Sequence, residues 1–446
     1  MITRRDLTRL TILSLAALGG AGTLTGCSDE KSPNGKGGGG VMDDGGIQLV
    51  SSDVKRAAGD PTILPDVVTG LQALTHGLYD GVAAGTDNVV ISPYSVLIAL
   101  GMTLVGADGK TADEMREVLG TGSLGDRWHK GVNALTVHID GLAGTQKRVD
   151  GSKAELELAT ANQLFGQRDV GWEQDFVDLL AKEYGASVRA VDFVQATEEA
   201  RTLINGWVEE QTNDRIVDLV PEAVLDALTR LVLVNAIYLK APWEQPFEKP
   251  LTAAGAFHRA DGSSIDVDLM HKPDLAAAMA TGDGWQAVVL PYAGKKVAMT
   301  IVLPDADAFD EVERAVASKG FTHIARQATP TSVDLKLPKW KFRTEVLLNE
   351  VLAALGMPTA FSDDADFTPM TDEDLTLRIS AVLHQGFIAV DEEGTEAAAA
   401  TAVVMKTLSA PAPGKTLVID RPFLFAIHDV EHHAPLFVGR VSDPTA

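Results

Sequence analysis

A segment near the C-terminus, Val390 to Ser409, places the strongest constraint on how this chain folds. Between Thr395 and Ala402 it holds only alanine, threonine and one glutamate, none of which anchors a loop firmly to a core. Taken locally, it is an alanine-rich linker or a short helix. As an extended strand, it would place alternate side chains on one face. These are Thr395, Ala397, Ala399, Thr401 and Val403.

The side chains on that face are all uncharged and either small or β-branched, whereas the opposite face carries Glu396. A strand of this kind can slide between two existing strands without overpacking the core beneath it. We therefore predict a segment that can become a strand, with Glu396 facing solvent.

Apolar periodicity after residue 61 predicts both helices and strands in a single domain, 61–446. The predicted helices are Leu71–Val82, one opened by the capping box Thr111–Glu114, Phe176–Tyr184, Arg201–Gln211 and Glu345–Leu355. The predicted strands are Leu231–Leu239, Val297–Leu303, Ser332–Leu337, Arg378–Val382, Phe423–Ile427 and Leu436–Val441. Because the two types are interspersed without a βαβ rhythm, we expect an α+β fold.

The N-terminus predicts export. Arg4 and Arg5 precede a short apolar stretch, in a pattern that resembles a bacterial twin-arginine signal, with the general secretory route as the alternative. Residues 24–27 resemble a lipobox ending in Cys27, the only cysteine of the chain. The alternative is an ordinary signal peptide that happens to contain a cysteine. We expect 1–26 to be the signal peptide and Cys27 to carry a lipid.

Residues 27–60 are rich in glycine, serine and aspartate, which predicts a flexible tether. The protein would then be anchored to the outer face of the cell membrane, or released outside the cell. The formal charge of −24 excludes nucleic acid as a partner and leaves the lipid as the only membrane contact. With one cysteine, no disulfide forms within the chain, and we expect a monomer.

One sequence pattern suggests metal binding. His428, Glu431 and His432 have the H-x-x-E-H spacing of a class of metalloproteases. Two such histidines share a metal when they lie on one helical face, but here both flanks predict strands. We therefore expect a hairpin turn at the surface, with adventitious metal binding as the alternative. No enzyme activity, cofactor or metal site is predicted.

The stretch Glu392–Thr401 resembles the hinge of serpins almost letter for letter. Further segments over about 61–446 resemble the same family in the same order. They are Asn88–Ser95, Leu233–Lys240 with Trp243, Asp420–Ile427 and Pro435–Val441. The resemblance implies three β-sheets, eight or nine helices and an exposed reactive loop near the C-terminus.

It also implies a suicide-substrate inhibitor of serine, and in some cases cysteine, proteases. The target cuts the loop and becomes acyl-linked to it, and the loop then inserts into the main sheet. In the family the cut falls fourteen residues after the hinge glycine, which corresponds here to Leu408 and Ser409. Leucine suits chymotrypsin-like, subtilisin-like or elastase-like targets, and shifted registers would present Met405 or Lys406. A non-inhibitory binding or storage serpin is the alternative function.

By the same resemblance, Ser92, Ser95, Asn235 and His384 match a polar cluster at which the sheet opens, and each could instead be an ordinary buried polar residue. Glu392 and Trp243 match the region where insertion begins. The hinge itself comprises Glu392, Gly394, Thr395, Glu396, Ala397, Ala398, Ala399, Ala400 and Thr401.

Overall fold

The computed structural model describes residues 41–446, except 45, 86 and 397–414. Several predicted features lie outside the described residues. They are the signal peptide, Cys27, the hinge positions Ala397, Ala398, Ala399, Ala400 and Thr401, and the candidate cleavage positions Met405, Lys406, Leu408 and Ser409.

Nine α-helices lie within the described residues, in agreement with the expected eight or nine. They are α1 Leu64–Val82, α2 Pro93–Leu104, α3 Gly109–Val118, α4 Arg127–Asp140, α5 Gln174–Leu179, α6 Thr197–Gln211, α7 Phe309–Lys319, α8 His323–Gln327 and α9 Asn349–Leu355. A π-helical turn, Leu180–Tyr184, follows α5. In this part of the chain, no helix combines the length and apolar character needed to cross a membrane.

Eighteen strands are described. They are β1 Val41–Asp44, β2 Ile47–Val50, β3 Val89–Ile91, β4 Gly144–Lys147, β5 Lys153–Gln167, β6 Val188–Val191, β7 Leu231–Pro242, β8 Ala253–His258, β9 Ser264–Gly282, β10 Trp285–Pro291, β11 Val297–Pro304, β12 Thr329–Pro338, β13 Trp340–Leu347, β14 Ala381–Val390, β15 Gly394–Thr395, β16 Lys415–Val418, β17 Phe423–Asp429 and β18 Pro435–Val441.

The main sheet has the strand order β1-β2-β6-β5-β7-β15-β14-β13, with β4 paired to β5. Its centre is formed by β7 and β14, which run parallel and pair from Val232–Ile237 to Ala381–Gly386. Beyond these pairs the two-residue strand β15 lies between them and runs antiparallel to both. At one end of the sheet centre, β7 and β14 are thus paired directly with each other. At the other end, β15 already lies between them.

The remaining strands follow the order β16-β12-β9-β10-β11-β17-β18-β3, with β8 on β9. Strand β9 pairs with β8 and β12 over much of its length and with β10 near its end. It therefore joins two sheets, and with the main sheet these make the three that were expected. The α+β class is confirmed.

Two apolar layers cover the two faces of the main sheet. Helix α2 is apolar all round and every one of its residues is buried, as expected for a helix inside a core. Side chains of β7 alternate between the layers: Leu233 and Ile237 join the layer of α2, whereas Val234 and Ala236 join the layer of α6.

Helices α1 and α6 begin at Leu64 and Thr197, earlier than the predicted Leu71 and Arg201, and two further helix starts are wrong. Helix α3 begins at Gly109 with Asp108 as its N-cap, and Glu114 instead accepts hydrogen bonds from the backbone and hydroxyl of Thr359. The predicted helix Glu345–Leu355 begins four residues late, because Glu345–Leu347 finish strand β13 against β14. In both places a partner distant in sequence overrides the local pattern.

The predicted tether is also corrected. Within 27–60, strand β2 pairs with β6 at the edge of the main sheet, and Ile47 is buried in the layer of α6. Further along, the amide of Ala57 donates to Lys182 and that of Asp60 to Lys130. The folded domain therefore begins before residue 61, because an open sheet edge offers backbone partners that composition alone does not reveal.

Candidate functional site

The hinge begins with a tight turn after β14. The Asp391 carboxylate accepts hydrogen bonds from the amides of Glu393 and Gly394, and the Asp391 amide donates to the carbonyl of Gly394. This turn reverses the chain, so that β15 returns into the sheet beside β14. A Cβ at Gly394 would collide with the carbonyl oxygen of Ala241, so only glycine permits this approach.

Thr395 is the first hinge side chain inside the sheet. It pairs with Ala241 on β7 and Val390 on β14, and it is 2% exposed. Its hydroxyl lies 2.5 Å from that of Tyr292. The alternation of small residues predicts that Thr395 faces inward in a strand, and in this structure it already does.

An aromatic stack supports the turn. The rings of Trp243 and Tyr292 lie parallel, with centroids 4.6 Å apart. The indole N–H of Trp243 donates to the carbonyl of Asp391, and its backbone N–H donates to Glu393. Trp243 thus holds the hinge, whereas no sequence pattern indicated a role for Tyr292.

Glu392 is held in place by charge and hydrogen bonds. Its carboxylate accepts from Thr252 at 2.8 Å and lies 3.4 Å from Lys339. Burial opposes its ionisation, but hydrogen bonds from its own backbone and Thr252, with Lys339 beside it, outweigh burial and lower its pKa. Phe247 adds a backbone hydrogen bond to the carbonyl of Glu392. The turn is therefore fixed on both sides.

Glu396 does not face solvent, and this prediction is wrong. Its side chain is 12% exposed and forms an ion pair with Arg215, in the segment after α6. Burial raises the pKa of Glu396 to about 7, despite the opposing effect of nearby cations. The charged groups around it are Arg215, Lys341, Glu157 and Lys240. The face opposite Thr395 is covered by the layer of α6, which the local alternation did not show.

A row of polar side chains crosses the closed part of the sheet. Asn162 on β5, Asn235 on β7 and His384 on β14 are direct cross-strand neighbours. Asn235 donates 2.7 Å hydrogen bonds to the Ser95 hydroxyl and to Asn162, and the Ser95 hydroxyl donates to Asn162. The structure thus brings together Ser92, Ser95, Asn235 and His384, and adds Asn162, which no sequence pattern indicated.

The hydrogen bonds of His384 define its protonation. Its Nε2 accepts from the backbone N–H of Ser92 at 3.0 Å, so Nδ1 carries the proton that it donates to Asn235 Oδ1 at 2.5 Å. Burial lowers the pKa of His384 to about 4, so the ring is neutral at pH 7. This neutral imidazole links the start of α2 to both central strands.

The described hinge ends at Glu396 and the chain is next described at β16, which pairs in parallel with β12. Eighteen residues, 397–414, separate the two. The parallel centre of the main sheet, with β15 at one end of it, is the arrangement into which the loop of serpins inserts.

Comparisons with known proteins agree. The family model described as serpin (serine protease inhibitor) matches residues 70–444. Serpin B4 of Homo sapiens is 36% identical to this chain over 370 residues, and the match covers 80% of this chain and 94% of serpin B4. An uncharacterized serpin-like protein of Thermococcus kodakarensis is 36% identical over 381 residues, 85% of this chain and 86% of its own.

Among solved structures, the thermophilic serpin Tengpin in its native state matches with a TM-score of 0.76 at 29% identity. The match covers 88% of this chain and 97% of that one. The chain belongs to the serpin family.

Proposed function

We propose that this serpin is a suicide-substrate inhibitor of serine proteases, cut between Leu408 and Ser409. The observation that carries the proposal is the position of β15 between β7 and β14. The hinge already occupies the first positions of a new strand, and the proposed loop residues follow it in the sequence. After cleavage, 397–408 is free to continue the strand.

The register of β15 fixes where each loop residue would lie. Thr395 pairs with Ala241 and Val390, and both partners are antiparallel to it. Continued without a bulge, the same register brings Thr401 between Asn235 and His384. Insertion to that depth breaks the hydrogen bond between His384 and Asn235, so the polar row acts as the gate that the loop must open.

The composition of the loop suits both layers of the sheet. Alternate residues after Thr395 would face the layer of α2, while Ala398, Ala400 and Ala402 would face that of α6. The latter side is already filled by buried residues such as Ile216 and Leu219. Because Ala398, Ala400 and Ala402 are small, the inserted strand would fit against these buried residues without overpacking.

The register also supports Leu408 as the cleaved position. Met405 would pair with Leu231, the first residue of β7, so the strand position ends there. An acyl bond at Leu408 lies three residues beyond the sheet and leaves room for the attached protease. A bond at Met405 or Lys406 would bring the protease against the end of the sheet. Leu408 fits an apolar primary pocket, as in chymotrypsin-like, subtilisin-like or elastase-like enzymes.

The experiment is incubation of the folded domain with chymotrypsin, subtilisin, elastase and trypsin, followed by a denaturing gel and mass spectrometry. Inhibition gives a denaturation-resistant complex joined through Leu408. Complete cleavage without any complex would identify a non-inhibitory serpin that serves binding or storage. The unfolding temperature of the cleaved protein also distinguishes an inhibitory from a non-inhibitory serpin. Insertion of the loop completes the sheet and therefore raises the unfolding temperature.

For location, we propose that Cys27 is lipidated and holds the domain at the outer face of the cell membrane. The support is the lipobox-like sequence ending in the only cysteine. Metabolic labelling with a fatty acid should mark the parent protein and not Cys27→Ala. An unlabelled parent would overturn the lipid anchor at Cys27.

A further inference from the structure

The hairpin between β17 and β18 meets the end of helix α4. His138 lies in the last turn of α4, while Glu431 and His432 lie in the hairpin loop. One potential ligand atom from each of these three side chains lies within 4.8 Å of the others. The imidazole rings of His138 and His432 are in edge contact, with centroids 4.6 Å apart.

This geometry is close to that of a metal site. Metal–ligand bonds of about 2.1 Å in a tetrahedral site place ligand atoms about 3.4 Å apart, so the side chains need to close by up to about 1.4 Å. They are free to do so, because the exposed side-chain fractions of His138, His432 and Glu431 are 20%, 26% and 72%.

A buried carboxylate orders the site. Asp429 has no exposed surface, and its Oδ1 lies 2.9 Å from Nε2 of His138. The same carboxylate accepts hydrogen bonds from the backbone N–H groups of Glu431 and His432. It therefore positions all three candidate ligands at once, as carboxylates that hydrogen-bond to metal ligands do in metal sites.

We propose that His138, Glu431 and His432 bind a divalent transition-metal ion of the zinc type. Two imidazoles and a carboxylate suit such an ion, whereas magnesium and calcium prefer oxygen ligands alone. The carboxylates of Glu431 and Asp429 lie beside the two imidazoles and offer negative charge for the cation to neutralise.

The site differs from the one that the H-x-x-E-H spacing suggested. His428 is buried in β17 rather than in a surface turn, and its Nε2 lies 2.9 Å from the Thr300 hydroxyl. The second histidine of the proposed site is instead His138 on α4, which precedes Asp429 by 291 residues. A bound ion would therefore tie α4 to the hairpin and stabilise the folded domain by mass action.

Titration of the untagged protein with zinc chloride, followed by calorimetry, tests the proposal. The parent should bind one zinc ion per chain. His138→Ala and His432→Ala should each weaken binding by at least about tenfold. His258→Ala removes an exposed histidine elsewhere and should bind as the parent does. Zinc should raise the unfolding temperature of the parent and this control but not of the two ligand variants.

Absence of zinc binding in the parent overturns the proposal, as does parental affinity in both histidine variants. Circular dichroism without zinc checks that each variant folds. If a histidine variant does not fold, Glu431→Gln decides, because its exposed side chain keeps the same shape and loses only the charged ligand. Weaker zinc binding in Glu431→Gln supports the site, and unchanged binding overturns it.

Discussion

Replacing Thr395 with arginine tests the insertion mechanism at its first step. The Thr395 side chain is 2% exposed and faces Tyr292, which stacks on Trp243. A guanidinium here would be buried without a carboxylate partner, a penalty of several kcal/mol. The aromatic faces would offset up to about 2 kcal/mol of it. We take about 3 kcal/mol as the net penalty for holding arginine in the inserted strand.

The uncleaved protein avoids most of this penalty, because Gly394 and Thr395 can leave the sheet and carry the arginine into solvent. The inserted strand cannot, since the residues that follow continue the same strand between β7 and β14 and hold residue 395 in its place. A barrier raised by about 3 kcal/mol slows insertion by roughly a hundredfold. Hydrolysis of the acyl bond is unaffected. If the parent traps its target about ten times for each escape, Thr395→Arg would trap about once for every ten escapes.

The assay is the ratio of inhibitor consumed to chymotrypsin inhibited, together with the fraction of denaturation-resistant complex on a gel. Thr395→Arg should be cut after Leu408 at the parental initial rate, yet yield mostly cleaved protein and active protease. Thr395→Ser is the matched control, because it keeps the hydroxyl near Tyr292 and adds no charge, and it should trap nearly as the parent does. Trapping by Thr395→Arg at the parental ratio would refute insertion through this position.

Three other predictions follow from the site and its buried groups. Leu408→Arg should shift inhibition from chymotrypsin-like to trypsin-like enzymes, because an apolar pocket rejects an unpaired charge; cleavage of the parent after Lys406 would contradict the register. Since the pKa of Glu396 is raised from 4.5 to about 7, the hinge should leave the sheet more readily as pH rises through that range. Hydrogen exchange of the Thr395 amide, corrected for intrinsic rate, should show this in the parent and not in Glu396→Gln. Burial lowers the pKa values of His129 and His384 from 6.5 to about 4. The contribution of these neutral rings to the free energy of unfolding is therefore complete above pH 6.5, and roughly 3 kcal/mol is lost for each ring as the pH falls towards 4. In urea unfolding, the free energy of unfolding of His129→Gln should fall by about 3 kcal/mol less than that of the parent between pH 6.5 and pH 4. An unchanged pH profile would contradict this assignment.

Much of the fold was predictable from local sequence. The strand patterns at Leu231–Leu239 and Val297–Leu303 match β7 and β11, because buried strands need continuous apolar side chains. Errors occurred where a distant partner decides the outcome. Glu114 binds Thr359 rather than its own helix start, and Glu345–Leu347 pair with β14 rather than begin α9.

The sequence by itself determined the hinge. Small, uncharged residues follow Gly394 at the alternate positions of one strand face, and such residues are needed wherever a strand enters a filled sheet. These requirements concern the size and conformation of single residues, so they are visible one residue at a time.

Only the tertiary structure decided which side chains meet. It placed Asn162 beside Asn235, covered Glu396 with Arg215, and brought His138 to His432. Each of these contacts joins segments that are far apart in the chain, and no local pattern fixes the distance between them. Strand register and helix packing set that distance, because hydrogen bonding across the sheet and the exclusion of water from the core act on the folded chain as a whole.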